Sequence, residues 1–497
     1  MTNWRSIYRL RRRIKMEQLS KQRWFNNNLD NSNLPIDTTI LLYPTYTFLN
    51  NDTNSNLNYL TRLRLTVNAP GNENSRKNKI ILSLCKQYLK EQSIVTRNRL
   101  NGFLSRNIPN ARIILDLLNS DQKINDTHFL ETDPRGYLST TIQTNYIPQQ
   151  LRTTLDTPSS FPKIISTSFN THYIKPNGIG IISDIDDTIK HTGVTGDKKS
   201  MFKNVFVTEW QDWIIDGLPQ WYNYLAKQFN VDFFYVSNSP LQLFPILHDY
   251  IVRTLPYGPI FLKQYAGSLF ASIMNTSTSN KKMDTIEQIL KDFPRKQFLL
   301  IGDSGEKDFE TYIDIALRYP EQIKAIYIRC CKDSISDGSY NDSTVLNELN
   351  DIIQKQYMKP FNSLTTSTTM PLDSTKPIVP RKPTNLNLTE LQLESIRRSR
   401  ERRIPPPMPP PLPRRPATTP SRTMESNSND VYVVPSTQND YNTYDRYFDK
   451  KADSWKSRLS IGLRQLNNLP NFNIQIKFFM DPHICQIDST NLLRSLK

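Results

Sequence analysis

Three carboxylates and a threonine are packed into Asp184-Ile185-Asp186-Asp187-Thr188, directly after the apolar run Ile179–Ser183. Like charges held this close cost free energy unless a cation joins them. A metal ion with carboxylate and phosphate ligands relieves that cost, and Mg²⁺ is the usual choice where phosphoryl groups are transferred. The alternate carboxylates Asp184 and Asp186 can then divide the work of nucleophile and acid/base. Asp187 and Thr188 also have an ordinary use, capping a helix or tightening a turn.

These residues need a scaffold that holds them at one place, and the surrounding sequence supplies a pattern for it. Ile179–Ser183, Val231–Val236, Gln297–Ile301 and Lys324–Ile328 are short apolar runs separated mostly by helix-length segments. Such spacing predicts a parallel α/β sheet. Ligands of these sheets lie outside the carboxyl ends of the strands, which singles out Asp184, Ser237 and Asp303 as the residues following three of the runs. Asp303 opens Gly302-Asp303-Ser304-Gly305-Glu306-Lys307-Asp308, a second acidic cluster after a strand.

Taken in order over residues 180–310, these motifs resemble the haloacid-dehalogenase superfamily of aspartyl-phosphate enzymes. The resemblance implies a Rossmann-like parallel sheet as the catalytic fold. It also implies that Asp184 is the nucleophile and that Asp186 protonates the leaving oxygen, then activates water. Thr188 completes the D-x-D-x-T pattern and joins the catalytic group. Ser237 occupies the position whose hydroxyl binds the transferring phosphoryl group. Lys282 is the choice for the lysine that neutralises phosphoryl charge and orients Asp184, with Lys281 and Lys263 as competitors. Asp184, the backbone carbonyl of Asp186, and Asp303 would ligate Mg²⁺, with Asp308 in support and Glu306 as its alternative.

Neither the segment after the first motif nor Pro240–Lys282 has room for a large cap, so the mouth of the site is expected to open to solvent. That suits a phosphate displayed on a large object such as a bilayer lipid or a protein. A closer resemblance, to the fungal actin-patch phosphatidate phosphatases, rests on Ala69-Pro70-Gly71-Asn72 through Ser75-Arg76-Lys77-Asn78-Lys79, Leu82-Ser83-Leu84-Cys85-Lys86-Gln87-Tyr88-Leu89, Ser183 to Lys190 and Ile301 to Glu306. It implies Mg²⁺-dependent hydrolysis of phosphatidate to diacylglycerol and phosphate, and a cytoplasmic enzyme peripheral to cortical actin patches and endocytic membranes. The chain has Lys281-Lys282 where that family often has His-Lys. A phosphatase of another phosphomonoester and an SH3-binding scaffold with an inactive body remain as alternatives.

The rest of the chain reads as organisation around this site. Residues 36–170 carry the strand-like Ile40-Leu41-Leu42-Tyr43 and Leu63-x-Leu65-x-Val67, the helical spacing Ile81, Leu84, Cys85, Tyr88, and the turn Thr132 to Gly136, which predicts a small strand-rich α+β domain. The catalytic domain follows at 171–335. Residues 357–437 read as a linker, because 13 of the 33 prolines lie between Pro371 and Pro420 with no glycine among them, a composition that favours polyproline II. Within it, Arg403-x-x-Pro406-x-x-Pro409 and Pro410-x-x-Pro413-x-Arg415 fit the two orientations of an SH3 ligand, and Pro377-x-x-Pro380-x-Lys382 is a weaker third. Order is expected to return at 440–497, where Ala452, Trp455, Leu459, Leu463 and Leu466 keep helical spacing and Phe472, Ile474, Ile476 and Phe478 alternate. So small a piece makes a poor core of its own and is expected to dock on the globular body.

Charge marks the ends and the linker more than the body. The net charge is +16, of which residues 1–24 hold +7 and residues 376–415 another +7. The basic tail, 1–35, could meet an anionic membrane or stay solvated. No aromatic-interleaved basic motif of a nucleic-acid module is present, so nucleic acid is not an expected partner. Four sparse cysteines point to a reducing compartment, and the apolar runs are too short for a membrane span or a secretory leader.

Overall fold

Polar and apolar residues alternate along Tyr59–Ala69, and the strand's period of two puts Leu63, Leu65 and Val67 on one fully buried face. The same rule builds the first half of the protein. The computed structural model describes residues 34–50, 58–91, 93–159, 161–194, 196–265, 281–338, 341–357, 449–469 and 473–496. All of them belong to one unit, Met1–Lys359 with Phe448–Lys497; the other unit, Pro360–Tyr447, lies outside the described residues. So do most of the basic tail and the proline motifs around Arg403 and Arg415.

The first half comprises β1 (Thr39–Leu42), β2 (Tyr46–Leu49), β3 (Tyr59–Ala69), α1 (Arg76–Glu91), α2 (Ser93–Leu104), β4 (Arg106–Asn107), β5 (Arg112–Leu118), β6 (Ile124–Glu131), β7 (Tyr137–Thr144), β8 (Gln150–Leu155), β9 (Ser166–Asn170) and β10 (His172–Tyr173). One sheet runs β1-β3-β2-β10, with β4 and β7 also paired to β3; the other runs β6-β5-β8-β9. Leu63, Leu65 and Leu138 from the first sheet share a core with Ile113, Leu115 and Leu151 from the second. The two sheets therefore form a sandwich. Helix α1 turns the other way: its Ile81 and Cys85 are buried in the core of the second half.

That second half comprises β11 (Ile179–Ser183), α3 (Lys198–Phe206), α4 (Leu218–Phe229), β12 (Asp232–Pro240), α5 (Phe244–Thr254), β13 (Ile260–Lys263), α6 (Lys281–Asp292), β14 (Gln297–Asp303), α7 (Asp308–Arg318), β15 (Ile323–Arg329), α8 (Asp342–Gln356), α9 (Lys450–Asn467), β16 (Gln475–Phe479) and α10 (Pro482–Ser495). Six strands form one sheet in the order β13-β12-β11-β14-β15-β16, and every pair is parallel. Its strands are apolar on both faces because both faces are covered. Ile181, Phe233, Leu299 and Tyr327 enter one core with α4 and α5; Ile182, Phe234, Leu300 and Ile326 enter the other with α6, α7 and α9. The molecule is thus a mixed α/β protein.

Two details differ from the sequence reading. Strand β12 continues past Val236 to Pro240, with a register shift against β13, so Ser237 sits within the end of a strand. The sheet also does not end at residue 335. Its sixth strand is β16, paired to β15 from Ala325↔Gln475 to Arg329↔Phe479. A short run such as Gln475–Phe479, separated from its partner by a long linker, carries no signal of which edge it will join.

The C-terminal helices close the layers. Ala452, Trp455, Leu459, Leu463 and Leu466 are buried together, and Gly462 lets α9 approach Phe309 and Ile313, where an added Cβ would stand 3.1 and 3.3 Å from their side chains. On the other face Trp221 Nε1 donates to Ser489 Oγ of α10 at 2.9 Å. The sandwich is tied to the sheet layer by polar contacts as well: Asp292, at the end of α6, accepts from Tyr46 Oη at 2.5 Å and pairs with Arg62.

Candidate active site

The carboxyl ends of β11, β12 and β14 meet at one place, and every charged group there is drawn into a network. Asp184 follows β11 directly and its N–H donates to the Ile301 carbonyl of β14 at 2.8 Å, which fixes its backbone against the neighbouring strand. Its side chain is buried, with Oδ2 accepting from Thr188 Oγ1 at 3.1 Å and Oδ1 from Lys282 Nζ at 2.8 Å. Lys282, in the first turn of α6, is buried too; its Nζ also pairs with Asp308 and lies 3.8 Å from Glu306 Oε2. Of the three lysines considered from sequence, Lys282 is the one the structure brings to Asp184. Lys263 instead has Nζ 4.6 Å from the centre of the Tyr265 ring, and the side chain of Lys281 lies outside the described set.

Asp186 points to a different set of partners. Oδ1 accepts from Lys190 Nζ at 3.1 Å and Thr192 Oγ1 at 2.8 Å, and Oδ2 from Ser237 Oγ at 2.8 Å and Ser239 Oγ at 2.6 Å. Burial pushes this carboxyl up, but Lys190 and the three hydroxyls outweigh it and bring it down to about 2. Ser237 therefore reaches the site through Asp186, and Lys190, Thr192 and Ser239 are functional candidates that the sequence reading did not name. Ser239 alternates with Ser237 on an extended strand end, which is the signal that could have found it.

The third carboxylate of the motif builds the loop. Asp187 adopts a left-handed φ of 54°, and its side chain accepts the backbone N–H groups of Thr192, Gly193 and Val194 at 2.8, 2.8 and 2.5 Å. Arg329 Nη1 donates to its carbonyl at 2.6 Å. The turn-forming use of Asp187 is thus the one seen.

The second acidic cluster lies across from the first. Asp303 Oδ1 accepts from the N–H of Gly305 at 2.5 Å and of Glu306 at 3.1 Å, whereas its buried Oδ2 has no hydrogen-bond partner among the described residues. Asp308 caps the arrangement, taking Lys282 on Oδ1 and the Asp303 N–H on Oδ2 at 3.3 Å. Only glycine fits at position 302, where a Cβ would stand 2.3 Å from Asp308 Oδ2. Glu306 Oε2 accepts from Asn238 Nδ2 at 2.9 Å.

The charge count here is lopsided. Burial raises the carboxyls of Asp184, Asp303 and Glu306, and Lys282 pulls each back only in part. Lys282 itself is drawn down by burial, yet Asp184 and Asp308 hold it well above its ordinary value. One oxygen each from Asp184, Glu306 and Asp308 lie within 4.8 Å of one another. Asp303 is not in that group of three, although its Oδ2 is buried with no hydrogen-bond partner among the described residues; hard oxygen donors and excess negative charge are what a small divalent cation such as Mg²⁺ requires. The donor set fits that ion, with Glu306 as well placed as Asp308 to serve.

A buried carboxylate–lysine site at the carboxyl ends of a parallel sheet is the class of centre that the fold defines. Residues 179–330 match the family model described as the catalytic domain of phosphatidate phosphatase APP1. Phosphatidate phosphatase APP1 of Saccharomyces cerevisiae is 41% identical over 518 residues, covering 93% of this chain and 86% of that protein. An uncharacterised Schizosaccharomyces pombe protein is 26% identical over 302 residues, 58% of this chain and 47% of its own length. The chain belongs to the APP1 phosphatidate phosphatase family. Among solved structures, a Parabacteroides merdae β-glucuronidase aligns with 60% of this chain and 34% of its own at 12% identity and a TM-score of 0.22, a likeness too slight to bear on the fold.

Proposed function

We propose that this protein is a Mg²⁺-dependent phosphatidate phosphatase working through an aspartyl-phosphate on Asp184, in a catalytic domain of the haloacid-dehalogenase type. The single observation that carries the mechanism is the division of labour between Asp184 and Asp186. Asp184 lies in the acidic cluster against Lys282, where a bound cation would keep it ionised for attack, whereas Asp186 lies outside that cluster on Lys190 and three hydroxyls and is left to exchange a proton. The substrate follows from family membership, since the yeast relative carries that activity in its name.

In the first half-reaction a carboxylate oxygen of Asp184 attacks phosphorus and the bond to the glycerol oxygen breaks. Asp186 delivers a proton to that oxygen, and diacylglycerol leaves. Asp186 is ionised in the arrangement described above, so it must first take up a proton. An arriving phosphate ester favours this in two ways: its charge raises the carboxyl, and its oxygens draw Ser237 and Ser239 away from Oδ2. In the second half-reaction Asp186, again ionised, removes a proton from water as the water attacks phosphorus, restoring Asp184 and releasing phosphate. Lys282 holds Asp184 in position and offsets the phosphoryl charge. Asp184, Asp303 and either Glu306 or Asp308 would hold Mg²⁺, together with the Asp186 carbonyl. When bound, the ion neutralises charge that develops on the phosphoryl oxygens.

Recruitment belongs to the same proposal. SH3 domains would engage Arg403, Pro406 and Pro409, or Pro410, Pro413 and Arg415, and carry the enzyme to cortical actin patches and endocytic membranes. Arginine beside spaced prolines supports this reading, because the guanidinium suits an acidic pocket and the prolines suit aromatic grooves. Among the described residues, no helix is long and apolar enough to cross a membrane, so contact with the lipid would be peripheral.

The test compares phosphatidate in mixed micelles with soluble phosphomonoesters and a phosphopeptide, with and without a chelator. Phosphate release from phosphatidate should dominate, require Mg²⁺, and fall at least a thousandfold in Asp184→Asn. Faster hydrolysis of a soluble ester would overturn the lipid assignment, and full activity in Asp184→Asn would overturn the mechanism.

A further inference from the structure

A cavity of about 370 Å³ has Tyr265 in its wall, two hydrogen bonds from Glu306 of the acidic cluster. Its walls come from β1 and β3 of the sandwich, from the passage between α2 and β4, and from the residues that follow β12 and β13. Lys77, Arg106 and Arg135 line it, and no aspartate or glutamate is among its described lining residues. Lys77 Nζ donates to the Ser105 carbonyl at 3.1 Å, and burial lowers the lysine with no carboxylate to offset it. Three cations in a lining that holds no carboxylate make a site of positive potential, although Asp133, outside the lining, accepts the Arg135 backbone N–H at 2.8 Å, and such concavities concentrate anions.

The rest of the lining limits what the anion is attached to. Leu41, Tyr43, Leu241 and Pro245 give one apolar side, and the volume suits a headgroup and the first carbons beyond it, far short of two acyl chains. The cavity also communicates with the chemistry. Tyr265, in its wall, donates from Oη to the Asn238 carbonyl at 2.7 Å, and Asn238 Nδ2 donates to Glu306 of the acidic cluster. A group seated in the cavity is thus next to the carboxylate site and separated from it by Tyr265 and Asn238.

We infer that this cavity docks the phosphate headgroup of an anionic membrane phospholipid other than the molecule being hydrolysed. The inference rests on the lipid reading of the catalytic site. The cations take the phosphate, the apolar wall takes the glycerol end, and the bound neighbour holds the catalytic mouth against the membrane plane. The first half of the chain then has a task in the reaction that its hydrophobic core alone does not explain: its sandwich carries Arg106 and Arg135, and α1 carries Lys77, the three cations of a membrane-reading surface.

Binding can be measured without turnover, using the full chain with Asp184→Asn and flotation with phosphatidylcholine vesicles, with or without phosphatidylinositol. Adding Arg106→Glu and Arg135→Glu, both at exposed positions, is expected to weaken binding to the phosphatidylinositol vesicles about tenfold or more. Arg106→Lys with Arg135→Lys should retain most of it, and Arg106→Gln with Arg135→Gln gives a neutral pair if charge reversal harms folding. Unchanged vesicle binding in the Glu and Gln pairs would overturn the inference. So would binding of soluble glycerol phosphate that those pairs abolish while vesicle binding stays the same, since the cavity would then serve a soluble metabolite. Phosphate release from a soluble ester by the Asp184 protein tests the catalytic reading separately, so the two failures are distinguishable.

Discussion

Lys282 is the residue on which the site's electrostatics turn. Its ammonium lies between Asp184 and Asp308, all three buried. Removing one partner of a buried charge cluster costs about 3–5 kcal/mol, because the others are left unpaired. Lys282→Met should therefore lower the melting temperature of the metal-free protein, and Mg²⁺ should recover part of the loss by supplying positive charge to the same oxygens. Activity should fall at least about a hundredfold even with Mg²⁺ present, because the oriented donor to Asp184 is gone. Unchanged stability in the absence of metal would show that Lys282 is not the counter-charge of the cluster. At this scale the sequence was most legible where residue type and strand end coincide, as for Asp184, Ser237 and Asp303. It was least legible for Lys190 and Thr192, whose contact with Asp186 depends on the loop that Asp187 folds through three backbone N–H groups. No local pattern encodes such a loop.

Elements show the same division between local and distant information. The runs Ile179–Ser183 and Gln297–Ile301 are apolar on both faces, so their place in a covered parallel sheet could be read directly. The pairing of β16 with β15 could not, because it joins Gln475–Phe479 to Ile323–Arg329 across residues 330–474. This edge matters to the site: β15 is next to β14, which carries Asp303, and α9 packs on α7, which carries Asp308. Leu463 is almost fully buried between these layers. Leu463→Ala should cost about 2–5 kcal/mol of stability in chemical denaturation. A cost below about 1 kcal/mol would mean that α9 is an accessory to the fold and not a part of it.

For the whole molecule, charge and chemistry are placed separately. The basic excess of residues 1–24 and 376–415 accounts for most of the +16, and both segments lie outside the described residues. The described body holds the buried acidic site. The proposed recruitment through Arg403 and Arg415 would act on residues apart from that site. Replacing Arg403 and Arg415 by alanine should lower capture of the full chain by immobilised SH3 domains about tenfold or more, since an arginine in an acidic pocket fixes the ligand's orientation. Lys382→Ala should have the smaller effect, because an ammonium lacks the planar fork. Equal capture of all three proteins would assign the prolines to a spacer.

Asp184 as a covalent nucleophile is the claim from which the rest of the mechanism follows. Asp186→Asn keeps the shape of the acid/base but can neither protonate the leaving oxygen nor activate water, so the phosphoenzyme should form slowly and, once formed, persist. The most direct measurement is to mix this variant with phosphatidate labelled in phosphorus, quench in acid, and locate the label by peptide mapping. Label on the peptide that contains Asp184, released by hydroxylamine as an acyl phosphate must be, is the expected result. Diacylglycerol formed by the variant with no labelled peptide at any time would contradict the account.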